Sequence, residues 1–335
     1  MTKQKQLLTD THGRVHQYLR ISLTERCNLR CSYCMPLEGV QLAPKSHLMT
    51  YDEIFTIAQI FVAHGVTKIR LTGGEPLIRK NFDRILKQLA TLPVSLSLTT
   101  NGVNVDQYIP LFQSVGMQSI NISLDTLDAA RFKEITHRDY FNRVYKNMQL
   151  LLKAGLKVKV NVVLMKGIND DEILDFIRLT EAFPYTIRFI EFMPFNGNRW
   201  NLEKMVASEE IMKTVISHYG EGQVLRIEDA PNDTAKNYQI KDALGNFALI
   251  TTVTNPFCDS CNRLRLTANG RIKNCLFSQT ENDLLTPLRS GKPIEPIIRK
   301  AVMGKLAIRG GMDDLEKVKN PDLHANNRSM ITIGG

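Results

Sequence analysis

The sequence has no run long and apolar enough to cross a bilayer. Its longest apolar stretch, near Ile54–Ala63, falls far short of the roughly 20 residues that a membrane helix needs. Met1–Asp10 is polar and lacks the apolar core of a secretory leader. Cysteine is scarce and uneven: Cys27, Cys31 and Cys34 stand together, and none follows until Cys258, Cys261 and Cys275. A disulfide framework does not leave such an interval bare between two tight triplets, whereas metal sites gather their thiolates in this way. A soluble protein of the reducing cytoplasm is therefore expected. No low-complexity segment, long charge run or Pro/Ser-rich linker interrupts the chain. The 43 Lys+Arg against 34 Asp+Glu leave a formal charge of +9, but no basic helix or aromatic platform goes with it, and no helix-turn-helix is visible. Neither nucleic acid nor a membrane is an expected partner.

What is present is a repeat. Strand candidates at Tyr18–Thr24, Val66–Thr72, Val94–Thr99, Ser119–Asp125, Lys157–Leu164 and Thr186–Glu191 alternate with helical candidates such as Tyr51–Ala63, Phe82–Ala90 and Glu172–Glu181. This rhythm predicts parallel β/α units, and six of them form an open or partial barrel. Thr50 followed by Glu53 reads as a capping box, and Gly65, Gly116 and Gly155 stand where helices should end. The strands alternate where parallel strands are usually apolar throughout: Arg20, Ser22, Thr24; Lys68, Arg70, Thr72; Ser95, Ser97, Thr99; Asn121, Ser123, Asp125; Lys159, Asn161. A solvent-facing antiparallel sheet would alternate too, but the long helical connectors favour parallel order. With helices on the apolar face, the cations point inward, and a barrel lined with cations holds something charged.

The first triplet reads Cys27-Asn28-Leu29-Arg30-Cys31-Ser32-Tyr33-Cys34 and directly follows the first strand, at the end where barrel active sites form. Three thiolates are one short of a closed zinc site, and His47 is a poor match for the fourth, so a [4Fe–4S] cluster with one open iron is the better reading. These residues resemble the motif of the radical S-adenosylmethionine superfamily, which implies that the cosubstrate's amine and carboxylate chelate the open iron. Taken alone, Thr72-Gly73-Gly74-Glu75-Pro76 is only a tight turn. The resemblance makes Gly74 a contact to the methionyl group and adds Ser123 and Met193 as cosubstrate contacts, with Tyr33 supplying backbone to the adenine.

The second triplet sits in Phe257-Cys258-Asp259-Ser260-Cys261-Asn262-Arg263-Leu264-Arg265-Leu266, followed by a hairpin turn at Asn269-Gly270 and then Cys275. Three thiolates again leave an iron open, and Arg263 and Arg265 share one strand face near it. Together with the terminal Ile333-Gly334-Gly335, these residues resemble the GTP 3′,8-cyclase family of molybdenum cofactor biosynthesis, over about Arg14 to Gly335. The resemblance implies GTP between two clusters, its guanine on the open iron of the second and its triphosphate held by cations, for which the polar strand face offers Arg20, Lys68, Arg70, Lys159 and Arg188, with Thr99 adding a hydroxyl. It also implies cleavage of the cosubstrate to a 5′-deoxyadenosyl radical, abstraction of the ribose 3′ hydrogen and attack on C8 of guanine, giving 3′,8-cyclo-7,8-dihydro-GTP.

The expected division is an N-terminal arm (1–13), a partial barrel (14–195) and a C-terminal region (196–335), in which residues 198–246 carry no ligand that can be named. Arg263, Arg265, Gly334 and Gly335 are the residues expected to act in the reaction, the two glycines as a thin tail that supports an arginine or hydrogen-bonds near the substrate. An electron-donor protein and the enzyme that consumes the product are the expected partners, and the chain is a monomer or homodimer. A radical enzyme acting on tRNA or a peptide, and a non-enzymatic iron–sulfur sensor, remain alternatives, which GTP binding separates.

Overall fold

The computed structural model describes residues 6–35, 39–324 and 327–334. Six strands and their covering helices build the first part: β1 Tyr18–Ser22, α1 Tyr51–Ala63, β2 Lys68–Thr72, α2 Phe82–Leu89, β3 Ser95–Thr100, α3 Ile109–Ser114, β4 Ser119–Ser123, α4 Ala129–Thr136, α5 Phe141–Lys153, β5 Lys157–Leu164, α6 Ile173–Ala182 and β6 Thr186–Glu191. Each of β1 to β5 pairs in parallel with the next, as the helical connectors require. The expected capping box opens α1: the Thr50 side chain accepts from the Glu53 amide, and the Glu53 carboxylate accepts from the Thr50 amide.

Several strand ends fall short of the expected bounds because the next residues bond elsewhere. β1 stops at Ser22, and the carbonyl of Thr24 instead accepts the amide of Gly74 at 2.7 Å. β4 stops at Ser123, and Asp125 takes the amide of Val163 at 2.9 Å on its carboxylate. Helix α6 begins at Ile173 rather than Glu172, whose carboxylate accepts from the Leu127 amide at 2.5 Å.

The outward strand residues, among them Leu19, Ile21, Ile69, Leu71, Ile120, Val160 and Phe189, are buried beneath the helices in one apolar core. Burying each such side chain contributes about 1.5–3 kcal/mol, and this fixes which face of every strand is left to look inward.

The remaining elements complete the sheet instead of folding apart from it. They are α7 Ser208–Tyr219, β7 Val224–Arg226, β8 Lys236–Ile240, β9 Asn246–Ile250, β10 Arg263–Leu266, β11 Arg271–Lys273, β12 Asn282–Asp283, α8 Leu285–Arg289, α9 Glu295–Met303, α10 Leu315–Lys319 and α11 Met330–Ile333. The strands run β12-β11-β10-β1-β2-β3-β4-β5-β6-β9-β8-β7 in one unclosed 12-stranded sheet. Thus β10 pairs in parallel with β1, and β9 with β6, so both edges of the partial barrel are covered. Among the described residues, no helix is long and apolar enough to cross a membrane.

Candidate functional site

Side chains alternate along a strand, so Tyr18, Arg20 and Ser22 share the inner face of β1. Register carries the pattern sideways. Arg20 stands opposite Arg70 of β2 and Arg265 of β10, and Asn161 of β5 opposite Ser123 of β4 and Arg188 of β6. Arg20, Arg70, Thr99, Arg188, Arg263 and Arg265 line a single cavity. Lys68 and Lys159 are not in its lining. Lys68 is exposed at the start of β2, opposite Tyr18, and Lys159 stands opposite Asn121 and Thr186.

Among the described residues, none of these seven cations forms a salt bridge with a carboxylate. Arg70 donates to the Ser97 hydroxyl at 3.3 Å, and Arg188 donates to the Asn121 carbonyl oxygen. Burial, then the charge of Arg70, pushes Arg188 down to about 9; burial, then Arg20, pushes Arg265 to about 9; Lys159 falls to about 8 through burial, Arg188 and Arg70. The opposing charge comes from Tyr18 and then Asp233 at Lys68, from Asp233 at Lys159, and from Asp233 and then Tyr18 at Arg188; Asp233 lies in the 198–246 segment, and its neighbour Thr234 reaches the cavity lining. Arg20 Nε, Arg188 Nε and Asn161 Oδ1 are buried without a partner. Crowded like charges with orphaned donors suit a polyanion.

Cys27, Cys31 and Cys34 lie in the loop after β1 and line one end of this cavity. That loop is tied to α4, with the Arg30 amide on the Thr136 carbonyl at 2.9 Å and the Ser32 amide on that of Ile135 at 3.0 Å. The Cys27 sulfur accepts from the Leu29 amide at 3.4 Å and from Asn101 at 3.7 Å. Burial pushes the Cys27 thiol up to about 11 and Cys34 to about 12, so a metal must displace protons to bind there. Tyr33, Gly74, Ser123 and Met193 line the same end. The Tyr33 hydroxyl donates to Asp125 at 2.7 Å, and burial raises that carboxyl to about 6. The fold itself also requires glycine at 74. Its amide is already spent on Thr24, and a Cβ would meet the Arg26 carbonyl oxygen at 2.4 Å. What remains for a ligand amine is the Gly74 carbonyl.

Cys258 and Cys261 precede β10 and Cys275 follows β11, so the hairpin through Gly270 brings the second triplet together on the cavity wall. Because β10 runs parallel beside β1, this triplet lies at the beginning of its strand while the first follows the end of its neighbour. The cavity lies between them. The Arg309 amide donates to the Cys258 sulfur at 3.4 Å and the Lys305 ammonium to that of Cys261 at 3.3 Å. Although burial pushes Cys261 up, Arg263 and Lys305 bring it down to about 6. Sequence reasoning missed Lys305 and Arg309. The Arg309-Gly310-Gly311 run was the available signal, since all three residues adopt positive φ to make the turn. Arg14, directly after the arm, donates to the carbonyls of Cys258 at 3.0 Å, Ala307 at 2.8 Å and Leu306 at 2.9 Å.

All six cysteines are free. Among the described residues, no three His, Cys, Asp or Glu side chains converge tightly enough to hold a single metal ion. The fit to iron–sulfur clusters rests on the donor chemistry: three thiols in each set, with N–H groups aimed at their sulfurs.

The chain's end enters the same space. Ile331, Thr332 and Ile333 are buried, Met330 lines the cavity, and the Gly334 carbonyl accepts from Arg265 Nη1 at 2.5 Å. The tail thus touches an arginine of the cavity at Gly334; Gly335 lies outside the described residues.

A scan of protein families matches residues 21–180 to the Radical SAM superfamily and residues 185–310 to Molybdenum Cofactor Synthesis C. The chain is 48% identical to "GTP 3′,8-cyclase, mitochondrial" of Arabidopsis thaliana, over 98% of this chain and 84% of that one. It is 46% identical to "Molybdenum cofactor biosynthesis protein 1" of Mus musculus, over 98% of this chain but only 51% of that protein. In fold it resembles the crystal structure of Streptococcus suis SuiB, with a TM-score of 0.61 and 16% identity, over 86% of this chain and 69% of that one.

Proposed function

Because the chain belongs to the GTP 3′,8-cyclase family of radical S-adenosylmethionine proteins, we propose that it converts GTP to 3′,8-cyclo-7,8-dihydro-GTP for molybdenum cofactor synthesis. The observation that carries this reading is the floor of arginines, free of carboxylate salt bridges among the described residues, between two thiol triplets. A [4Fe–4S] cluster on Cys27, Cys31 and Cys34, with S-adenosylmethionine, supplies an organic radical when bound. The chain's own residues do the rest. The Gly74 carbonyl, Ser123 and Met193, with the backbone of Tyr33, hold the cosubstrate at the first triplet. Cys258, Cys261 and Cys275 would hold a second cluster, which would supply an open iron and an electron, and Lys305 and the Arg309 amide stabilise the Cys261 and Cys258 thiolates. Arg20, Arg70 and Arg188, with Lys68 and Lys159 at the far end and Thr99 beside them, take the triphosphate as charge-assisted donors. Arg263 and Arg265, the latter braced by Gly334, orient the base and ribose. The enclosing sheet excludes water from the radical step.

A separate electron-donor protein delivers the electron, and a second enzyme consumes the product. Six free thiols need a reducing compartment, for which we propose the cytoplasm. The test is anaerobic: reconstituted protein carrying about eight irons converts GTP in the presence of S-adenosylmethionine and a reductant. Protein that cleaves S-adenosylmethionine but neither binds nor consumes GTP overturns the assignment.

A further inference from the structure

Tyr18 has no part in the reading above, yet it lies at the bottom of the same barrel. It stands in register with Lys68 on one side and Arg263 on the other, one inward position below Arg20. Three cations surround its ring: Lys68 Nζ at 4.9 Å from the centroid, Arg20 Cζ at 5.4 Å and Arg70 Cζ at 5.5 Å. The residue is only 8% exposed, and its hydroxyl, beside the Arg20 guanidinium, finds no acceptor. A buried hydroxyl is normally satisfied. The charged groups around it are arginine and lysine, which carry donors and offer its hydrogen no acceptor. Whatever completes this layer must bring acceptor oxygens and negative charge.

We propose that Tyr18 is a substrate-binding residue whose ring holds Arg20, Lys68 and Arg70 in place and whose hydroxyl donates to the terminal phosphate of the nucleotide. The inference rests on the reading of the site as a GTP site and extends it to a residue that selects the number of phosphates. The direction of the nucleotide follows from the strands. The ribose must lie near Ser123 and Met193, at the C-terminal ends of β4 and β6, whereas Tyr18 and Lys68 begin β1 and β2. The phosphate farthest from the ribose therefore reaches the deepest layer. Cation–π contacts keep like charges together before the anion arrives, which lowers the cost of organising the cradle on binding.

Were Tyr18 only packing, phenylalanine would replace it without loss. The experiment measures GTP and GDP binding by calorimetry on anaerobically reconstituted Tyr18→Phe, Tyr18→His and Arg70→Ala beside wild type, with iron content and thermal melting as folding controls. Loss of one charge-assisted hydrogen bond should weaken GTP binding by Tyr18→Phe roughly ten- to a hundredfold and leave GDP binding nearly unchanged. Uncoupled cleavage of S-adenosylmethionine should persist. Tyr18→His keeps a ring and an N–H donor and should retain part of the preference for GTP over GDP, which a folding defect would not restore. Wild-type GTP affinity in Tyr18→Phe, with affinity lost in Arg70→Ala, would overturn the role of Tyr18 and leave the GTP site standing. Equal loss of GTP and GDP would overturn the assignment to the terminal phosphate. If wild type binds neither nucleotide, the reading of the site itself fails.

Discussion

Gly334 joins the chain's end to the cationic floor, and glycine is required there for two reasons. Its φ of +86° lies in the left-handed region, and a Cβ would stand 2.5 Å from Thr72 Oγ1 and 2.9 Å from Ser22 Cβ. Alanine would push the carbonyl away from Arg265. Gly334→Ala should therefore lower GTP turnover by roughly ten- to a hundredfold, the value of one charge-assisted bond, with iron content and cleavage of S-adenosylmethionine retained. Unchanged turnover would reduce the tail to packing. A second residue sets a pH dependence. Burial, with Lys305 adding to it, pushes His16 down to about 4 from an ordinary 6.5, against a 3.1 Å contact with Asp10. The unfolded chain binds that proton more readily, so the stability from neutral His16 is complete above pH 6.5 and is lost as pH falls toward 4. Asp10, held at about 2, titrates below that window. In denaturant titrations the stability difference between wild type and His16→Gln should change by about 2 kcal/mol between pH 7 and pH 5, a comparison in which Asp125 and Glu75, raised by burial to about 6 and about 7 and acting in the opposite direction, cancel.

Among the elements, the N-terminal arm does more than its polar sequence suggested. Asp10 accepts Arg14 Nε at 2.6 Å, and that ion pair aims the rest of the guanidinium at three carbonyls around the second triplet. Asp10 of the arm, through Arg14, thereby holds the turn that carries Cys258 against the turn before Arg309. Removing Arg14 takes a charged donor away from three part-buried carbonyls, those of Cys258, Ala307 and Leu306. Arg14→Ala should lose iron from the second triplet, falling from about eight irons toward four, while the first triplet keeps its own. Mössbauer or iron analysis alongside cleavage of S-adenosylmethionine decides it. Equal loss from both triplets would mean that the arm stabilises the whole molecule instead.

At the scale of the molecule, strands from before and after residue 195 share one sheet, so the expected boundary there is not a line of independent folding. The two thiol sets nonetheless lie at opposite ends of neighbouring strands, β1 and β10, and should be separable by chemistry. Replacing Cys258, Cys261 and Cys275 together by Ala should halve the iron and abolish GTP turnover, with cleavage of S-adenosylmethionine surviving at the first set. Zinc in the wild-type second set, or turnover in the triple variant, would remove the second cluster from the mechanism.

Local rules were enough for much of this. The bounds of β5, β6 and α1 match the sequence reading because hydrophobic period and capping act within a few residues. The inward face of cations was legible for the same reason, as strand alternation needs no knowledge of neighbours. The six cysteines showed themselves by spacing. Tertiary structure alone decided that β10 docks beside β1, since an open sheet edge is satisfied by whichever distant strand folds back onto it. That choice puts Arg265 in register with Arg20 and gives it the Gly334 carbonyl, and it leaves Lys68 and Lys159 outside the cavity lining. Lys305 and Arg14 reach the second triplet from segments with no motif of their own, and Arg309 from a turn marked only by its two glycines. Contacts of this kind depend on where loops pack in space, and no periodicity along the chain records that.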